Sequence, residues 1–131
     1  MHASITYWAV IFSLGFILGT ARTVWGGDAV GESTFILIEI PIILAASWIA
    51  ARRVMRRMKI DNACSALAMG ALAFALLMAS EMALAALLAH DAGRSEAVRS
   101  WLASLIAPPG LYGFLGQIAF GLIPRLAARG R

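Results

Sequence analysis

Residues 63–90 read ACSALAMGALAFALLMASEMALAALLAH, an alanine- and leucine-rich run in which Glu81 is the only acidic residue and Lys and Arg do not occur. At about 1.5 Å of rise per residue, such a helix is longer than the hydrocarbon layer of a bilayer, which is about 30 Å thick. An ionisable side chain inside such a run costs about 2.5–3.5 kcal/mol on membrane-insertion scales. The stretch therefore predicts a membrane-spanning helix whose Glu81 needs a partner or a function.

The composition of the whole chain agrees with a membrane protein. Of the 131 residues, 61% are hydrophobic and only 14% are charged, and the mean hydropathy is +0.82. Soluble domains contain about 25% charged residues. At about 20 residues per span, the length permits about four spans in one domain and leaves no room for a soluble catalytic domain. The single cysteine, Cys64, excludes an internal disulfide and a CxxC redox pair.

Three further apolar runs complete the predicted fold. We predict an all-α, integral membrane four-helix bundle, a single transmembrane domain over residues 1–131, with spans at about 5–25, 33–51, 63–90 and 109–126. Asp61 or Asn62 is a suitable N-cap for the third helix. Membrane lipids and other transmembrane helices are the expected partners.

Residues 95–107 are too short to cross a bilayer. Their apolar residues recur at helical spacing, which indicates an amphipathic helix: Val98, Trp101, Leu102, Leu105 and Ile106. We predict a short interfacial helix at the outer membrane surface, with Trp101 at headgroup level, that ends at Pro108 and Pro109. The alternative is one long tilted helix from Ser95, kinked at this proline pair.

The basic residues determine the predicted topology. Most of them follow the second and fourth spans: Arg52, Arg53, Arg56, Arg57, Lys59, Arg125, Arg129 and Arg131. The positive-inside rule assigns both segments to the cytoplasm, so we predict a bacterial-type inner membrane protein with both termini cytoplasmic. Residues 26–32 and the segment after His90 are then outside. Topology and anionic lipid headgroups explain the pI of about 10.2, so we expect no nucleic-acid partner.

Each of the four spans carries one strongly polar side chain in its outer half. Glu39, Glu81 and Gln117 lie about 9–13 Å from the outer ends of their helices, and Arg22 lies about one turn from the end of the first. We predict that these four residues form a ligand-binding or proton-coupling site beside a kink at Pro41. Two structural alternatives remain open: an Arg22–Glu39 salt bridge that joins two adjacent helices, and a hydrogen-bonded core role for Glu81.

Small residues mark surfaces where helices can approach closely. Gly15 and Gly19 form a GxxxG pattern in the first span. A second set, four residues apart on the third span, consists of Ala71, Ala75, Ala79 and Ala83. These surfaces fit packing within one bundle or against another subunit.

The sequence contains no GxSxG, HExxH, Walker or EF-hand pattern. On the predicted topology, His2 and His90 lie at opposite membrane faces, and we expect no cofactor or metal. We therefore favour a protein without catalytic activity that acts through helix contacts, as an auxiliary subunit of a larger membrane complex or as a homo-oligomer. The alternative is a proton- or cation-coupled carrier of a small cationic or apolar molecule. A third possibility is a membrane enzyme that uses Glu39 or Glu81 on a lipid-borne substrate.

Overall fold

A computed structural model describes residues 1–26, 31–89 and 93–130 of the chain. Most of these residues are helical, and no strand occurs among them. The structure contains five α-helices: α1 (His2–Ala21), α2 (Glu32–Met58), α3 (Ala63–Leu87), α4 (Arg94–Ser104) and α5 (Gly110–Arg129). The predicted end of the third span at His90, residues 27–30 of the segment predicted to lie outside, and Arg131 lie outside the described residues.

Four helices are long and apolar enough to cross a membrane, as the sequence predicts. The four candidate spans are His2–Trp25, Glu32–Met58, Ala63–Leu87 and Gly110–Arg129. The first of them continues beyond the end of α1 into the helical turn that follows it. The helix start at residue 63 agrees with the prediction, and Asn62 is its N-cap. The Asn62 side chain accepts a hydrogen bond from the backbone N–H of Ser65 at 2.7 Å, so one unpaired helix donor is satisfied.

The second helix is longer than predicted. It does not end near Ala51 but continues for two further turns to Met58, so the arginines that follow the predicted second span lie on the last turns of α2. Arginine has a high helix propensity, and cations at a helix C-terminus interact favourably with the helix dipole. Lys59 then ends the helix in the left-handed conformation, with φ of 53°.

The first helix ends in an irregular turn that the sequence does not predict. Residues Arg22–Gly26 form a π-helical turn directly after α1. Such turns are rare and occur frequently at functional sites. Arg22, the cation of the predicted site, is the first residue of this turn.

The end of the molecule that carries the basic C-terminal turns of α2 and α5 is tightly packed. The buried apolar core lies there and contains residues from α1, α2, α3 and α5. Tyr7 of α1 stacks on Phe120 of α5 with ring centroids 4.6 Å apart, and its hydroxyl donates to the Phe120 carbonyl at 2.9 Å. Gly70 of α3 lies against Gly121 of α5, where a Cβ would overlap the Gly121 carbonyl oxygen. The absence of side chains therefore permits close approach of these two helices.

Helix α4 has 11 residues and precedes α5. None of its residues is buried, and its main contacts are with α3. The predicted helix over 95–107 is thus present, although it ends at Ser104. The chain turns tightly before α5, and a side chain on Gly110 would overlap the Ser104 carbonyl oxygen.

Candidate functional site

A large cavity occupies the end of the molecule opposite the basic C-terminal turns of α2 and α5. Its volume is about 720 Å³. It is lined by the second half of α1, the first half of α2, the second half of α3, and residues of α4 and α5. Thr20, Thr23 and Glu32 are exposed and line it as well, so the cavity reaches the surface at this end.

Glycines contribute to the open volume. Gly15 of α1 and Gly113 of α5 line the cavity, and a Cβ built on either residue meets no heavy atom within 4 Å. Gly70 and Gly121 have the opposite environment, because they bring backbones together at the other end. The glycines of these helices therefore serve two purposes, close packing at one end and open space at the other.

Arg22 and Glu39 form an ion pair on the cavity wall. The Arg22 Nη1 atom donates a hydrogen bond to Glu39 Oε2 at 3.1 Å. The Glu39 side chain is 10% exposed and the Arg22 side chain 26% exposed. The structure thus joins α2 to the π-helical turn that follows α1, as expected for the salt bridge. The second carboxylate oxygen, Glu39 Oε1, is buried and has no hydrogen-bond partner among the described residues.

Glu81 and Gln117 form the second polar pair of the cavity. The Gln117 Nε2 amide donates a hydrogen bond to Glu81 Oε1, which links α3 to α5. The Trp101 side chain of α4 lies beside the same carboxyl group. Gln117 Oε1 is buried and lacks a hydrogen-bond partner within the described part of the chain. No salt bridge to Glu81 occurs among the described residues.

All four polar residues of the predicted site therefore line one cavity. The structure brings Arg22, Glu39, Glu81 and Gln117 together, as their matched depths indicate, and their role in binding or proton coupling stays a prediction. Pro41 is different, because it is exposed on α2 and does not line the cavity. α2 is helical on both sides of this residue, and the kink there also stays a prediction.

The sequence did not indicate that α4 contributes to the cavity. Trp101, assigned to the headgroup level, is half-buried and lines the cavity beside Glu81. Ser104 and Leu105 line it too. The amphipathic pattern of residues 95–107 was a signal for such a contribution, because the apolar face of an amphipathic helix packs against another apolar surface. The identity of that surface depends on how the chain turns back before α5.

In the described part of the chain, the site contains carboxylates but no cluster of metal ligands. Within residues 1–26, 31–89 and 93–130, no group of three His, Cys, Asp or Glu residues is arranged to hold a metal ion. The arrangement offers paired charges, hydrogen-bond acceptors and an apolar wall. Comparison with known proteins finds no matching family model, no matching curated protein and no matching solved structure.

Proposed function

We propose that the four long helices cross a bilayer as a bundle, with α4 at the outer interface. Each long helix contacts at least two of the others, which supports the bundle. α4 has 11 residues, whereas a span needs about 20. Its exposed Arg99–Glu96 pair, with side chains 80% and 59% exposed, suits the polar surface of an interfacial helix.

The proposed membrane is a bacterial-type inner membrane, with both termini in the cytoplasm. The basic residues at the C-terminal ends of α2 and α5 support this orientation, because cytoplasmic segments carry an excess of Lys and Arg. The cavity then lies in the outer half of the membrane and opens toward the outside.

We propose that the protein is a carrier that binds a small molecule in this cavity and couples its movement to a proton or a cation. The supporting observation is the cavity itself, with a volume of about 720 Å³ and two partly buried polar pairs on its wall. Protein interiors are otherwise packed about as densely as organic crystals. Ligand pockets have volumes of about 300–1,000 Å³ and combine apolar walls with a few polar groups.

Glu81 is the residue best suited to the coupling. Gln117 and Trp101 lie against it, and its negative charge has no cationic partner among the described residues. Arg22 is already paired with Glu39 across the cavity. A carboxylate in an apolar environment needs a proton or a cation to balance its charge. A proton and a cationic ligand would therefore compete for Glu81, and this competition couples their movements.

Proteoliposomes test the carrier proposal. The probe is radiolabelled phenethylguanidinium, which stays charged and crosses lipid slowly. We expect a pH gradient to change the rate of probe uptake by the wild type, and Glu81→Gln to lose this response. Gly113→Leu, which places a leucine side chain in the cavity, should reduce uptake, whereas Gly130→Leu should not, because Gly130 lies outside the cavity and has open space around it. The proposal fails if wild type and Glu81→Gln respond alike.

A second candidate function is the one based on helix contacts, as an auxiliary subunit or a homo-oligomer. The observation that favours it is the exposure of Ala71, Ala75, Ala79 and Ala83 along α3. A row of small residues on a lipid-facing surface permits close approach of another transmembrane helix. Gentle solubilisation followed by mass measurement tests this function. A strictly monomeric particle without a partner would rule it out.

A further inference from the structure

The charges around the cavity are unbalanced. Four charged residues line it within the described ranges, one basic and three acidic: Arg22, Glu32, Glu39 and Glu81. Arg22 is committed to Glu39 at 3.1 Å. An anionic ligand that approached Arg22 would therefore also approach these carboxylates, and like charges in a poorly hydrated space repel strongly. A cationic ligand would instead be attracted by these carboxylates.

Among the described lining residues, the buried hydrogen-bonding atoms that lack a partner are both acceptors. The hydroxyl groups of the cavity already donate to backbone carbonyls: Thr20 to Phe16, Thr23 to Thr20 and Ser104 to Trp101, at 2.6–2.8 Å. The Gln117 amide donates to Glu81. In contrast, two buried oxygens of lining residues, Glu39 Oε1 and Gln117 Oε1, accept no hydrogen bond within the described structure. Unpaired buried acceptors favour a partner that brings N–H or O–H donors.

The rest of the cavity wall is apolar and aromatic. Phe12, Phe16, Phe114 and Trp101 line it together with isoleucine and leucine side chains. Aromatic faces attract organic cations, and the apolar wall requires a ligand with an apolar body. Trp101 places an aromatic ring next to an acidic group, because its side chain lies beside the Glu81 carboxyl group.

We infer that the ligand of this cavity is an organic cation with an apolar body, whose charged end is an ammonium or guanidinium group that donates N–H hydrogen bonds. This inference rests on the proposed function and specifies its substrate class. Glu81 and the unpaired oxygens of Glu39 and Gln117 receive the charged end. The aromatic and aliphatic wall holds the body.

A series of probes that share one phenethyl body tests the inference at equilibrium. The probes are phenethylammonium, phenethylguanidinium, the N,N,N-trimethyl derivative of phenethylammonium, phenethyl alcohol and phenylpropionate. Binding to the detergent-solubilised protein is measured by calorimetry, with empty micelles as the correction for partition and Gly113→Leu as the variant with a smaller cavity. We expect the two N–H cations to bind at least about tenfold more tightly than the other three probes, because charge-assisted hydrogen bonds are the strongest available.

Charge variants sharpen this test. Glu81→Gln should weaken binding of the N–H cations by about tenfold. The matched control is Glu96→Gln, which removes an exposed carboxylate on α4 that does not line the cavity, and should leave binding unchanged. Thermal unfolding of each variant verifies that the fold is intact.

The outcomes separate the inference from the carrier proposal. If all five probes bind equally and Gly113→Leu weakens their binding, the cavity is a binding site but the inferred ligand class is wrong. Preferential binding of phenylpropionate or of the trimethyl derivative also overturns the inference. If the N–H cations bind as expected but proteoliposomes do not transport phenethylguanidinium, the ligand class stands and the carrier proposal fails.

Discussion

Arg22 and Glu39 meet across 3.1 Å on the wall of the cavity, with the arginine on a π-helical turn and the glutamate on α2. The pair connects the first two long helices and exposes both side chains to the same space. It therefore combines a structural role, which joins two helices, with a position on the proposed binding surface. The two roles predict different consequences for stability and for binding.

Removal of either member of this pair should destabilise the protein. Arg22→Gln leaves the largely buried Glu39 without its cation, whereas Glu39→Gln leaves a partly exposed arginine that can reach water. We expect Arg22→Gln to be the more destabilising change. The double variant should be more stable than the sum of the single effects implies, with a coupling energy of about 0.5–3 kcal/mol. Thermal or denaturant unfolding in detergent gives the stability of the wild type, the two single variants and the double variant. Additive effects of the two substitutions would show that the pair contributes no net stability.

A methyl group should have opposite effects at two glycines. Gly70→Ala places a Cβ onto the Gly121 carbonyl oxygen and forces α3 and α5 apart, which should cost about 1–3 kcal/mol of unfolding free energy. Gly113→Ala, in the open cavity, should instead be neutral or stabilise α5 by up to about 1 kcal/mol. The unfolding midpoints of both variants provide the comparison. Equal effects at the two positions would contradict the different packing of the two ends.

The Tyr7 hydroxyl should stabilise the packed end. Tyr7→Phe keeps the ring stacked on Phe120 but removes the donor to its carbonyl, so we expect a loss of about 0.5–1.5 kcal/mol. Tyr112→Phe is the control, since the Tyr112 hydroxyl has no hydrogen bond within the described residues and the ring is only partly buried. Ligand binding should not change in either variant, because neither tyrosine lines the cavity.

Much of the fold follows from local sequence. Apolar runs of about 20 residues have no folded alternative to a long helix in a membrane, and Asn62 marks a helix start by its own chemistry. The contact between Glu81 and Gln117 was predictable from their positions along the helices, because both residues lie at a similar distance from the predicted outer ends. Their polar atoms would be costly in lipid, so they were expected to face inward.

The shape of the cavity could not be predicted in this way. Its volume depends on which glycines bring helices together and which leave space, and Gly70 and Gly113 look alike in the sequence although their surroundings differ. The position of Trp101 beside Glu81 depends on the turn between α4 and α5. The π-helical turn at Arg22 has no signature in its residue types. These features arise from tertiary packing, which helical periodicity does not encode.

The orientation of the chain can be tested with its single native cysteine. Cys64 is exposed near the start of α3, after the basic end of α2. If both termini are cytoplasmic, a membrane-impermeant maleimide should label Cys64 in inside-out vesicles but not in intact spheroplasts. The control is Ser95→Cys in a Cys64→Ser background, which moves the thiol to an exposed position on α4 and should reverse the pattern. Labelling of Cys64 from outside would invert the proposed topology, and the cavity would then open toward the cytoplasm.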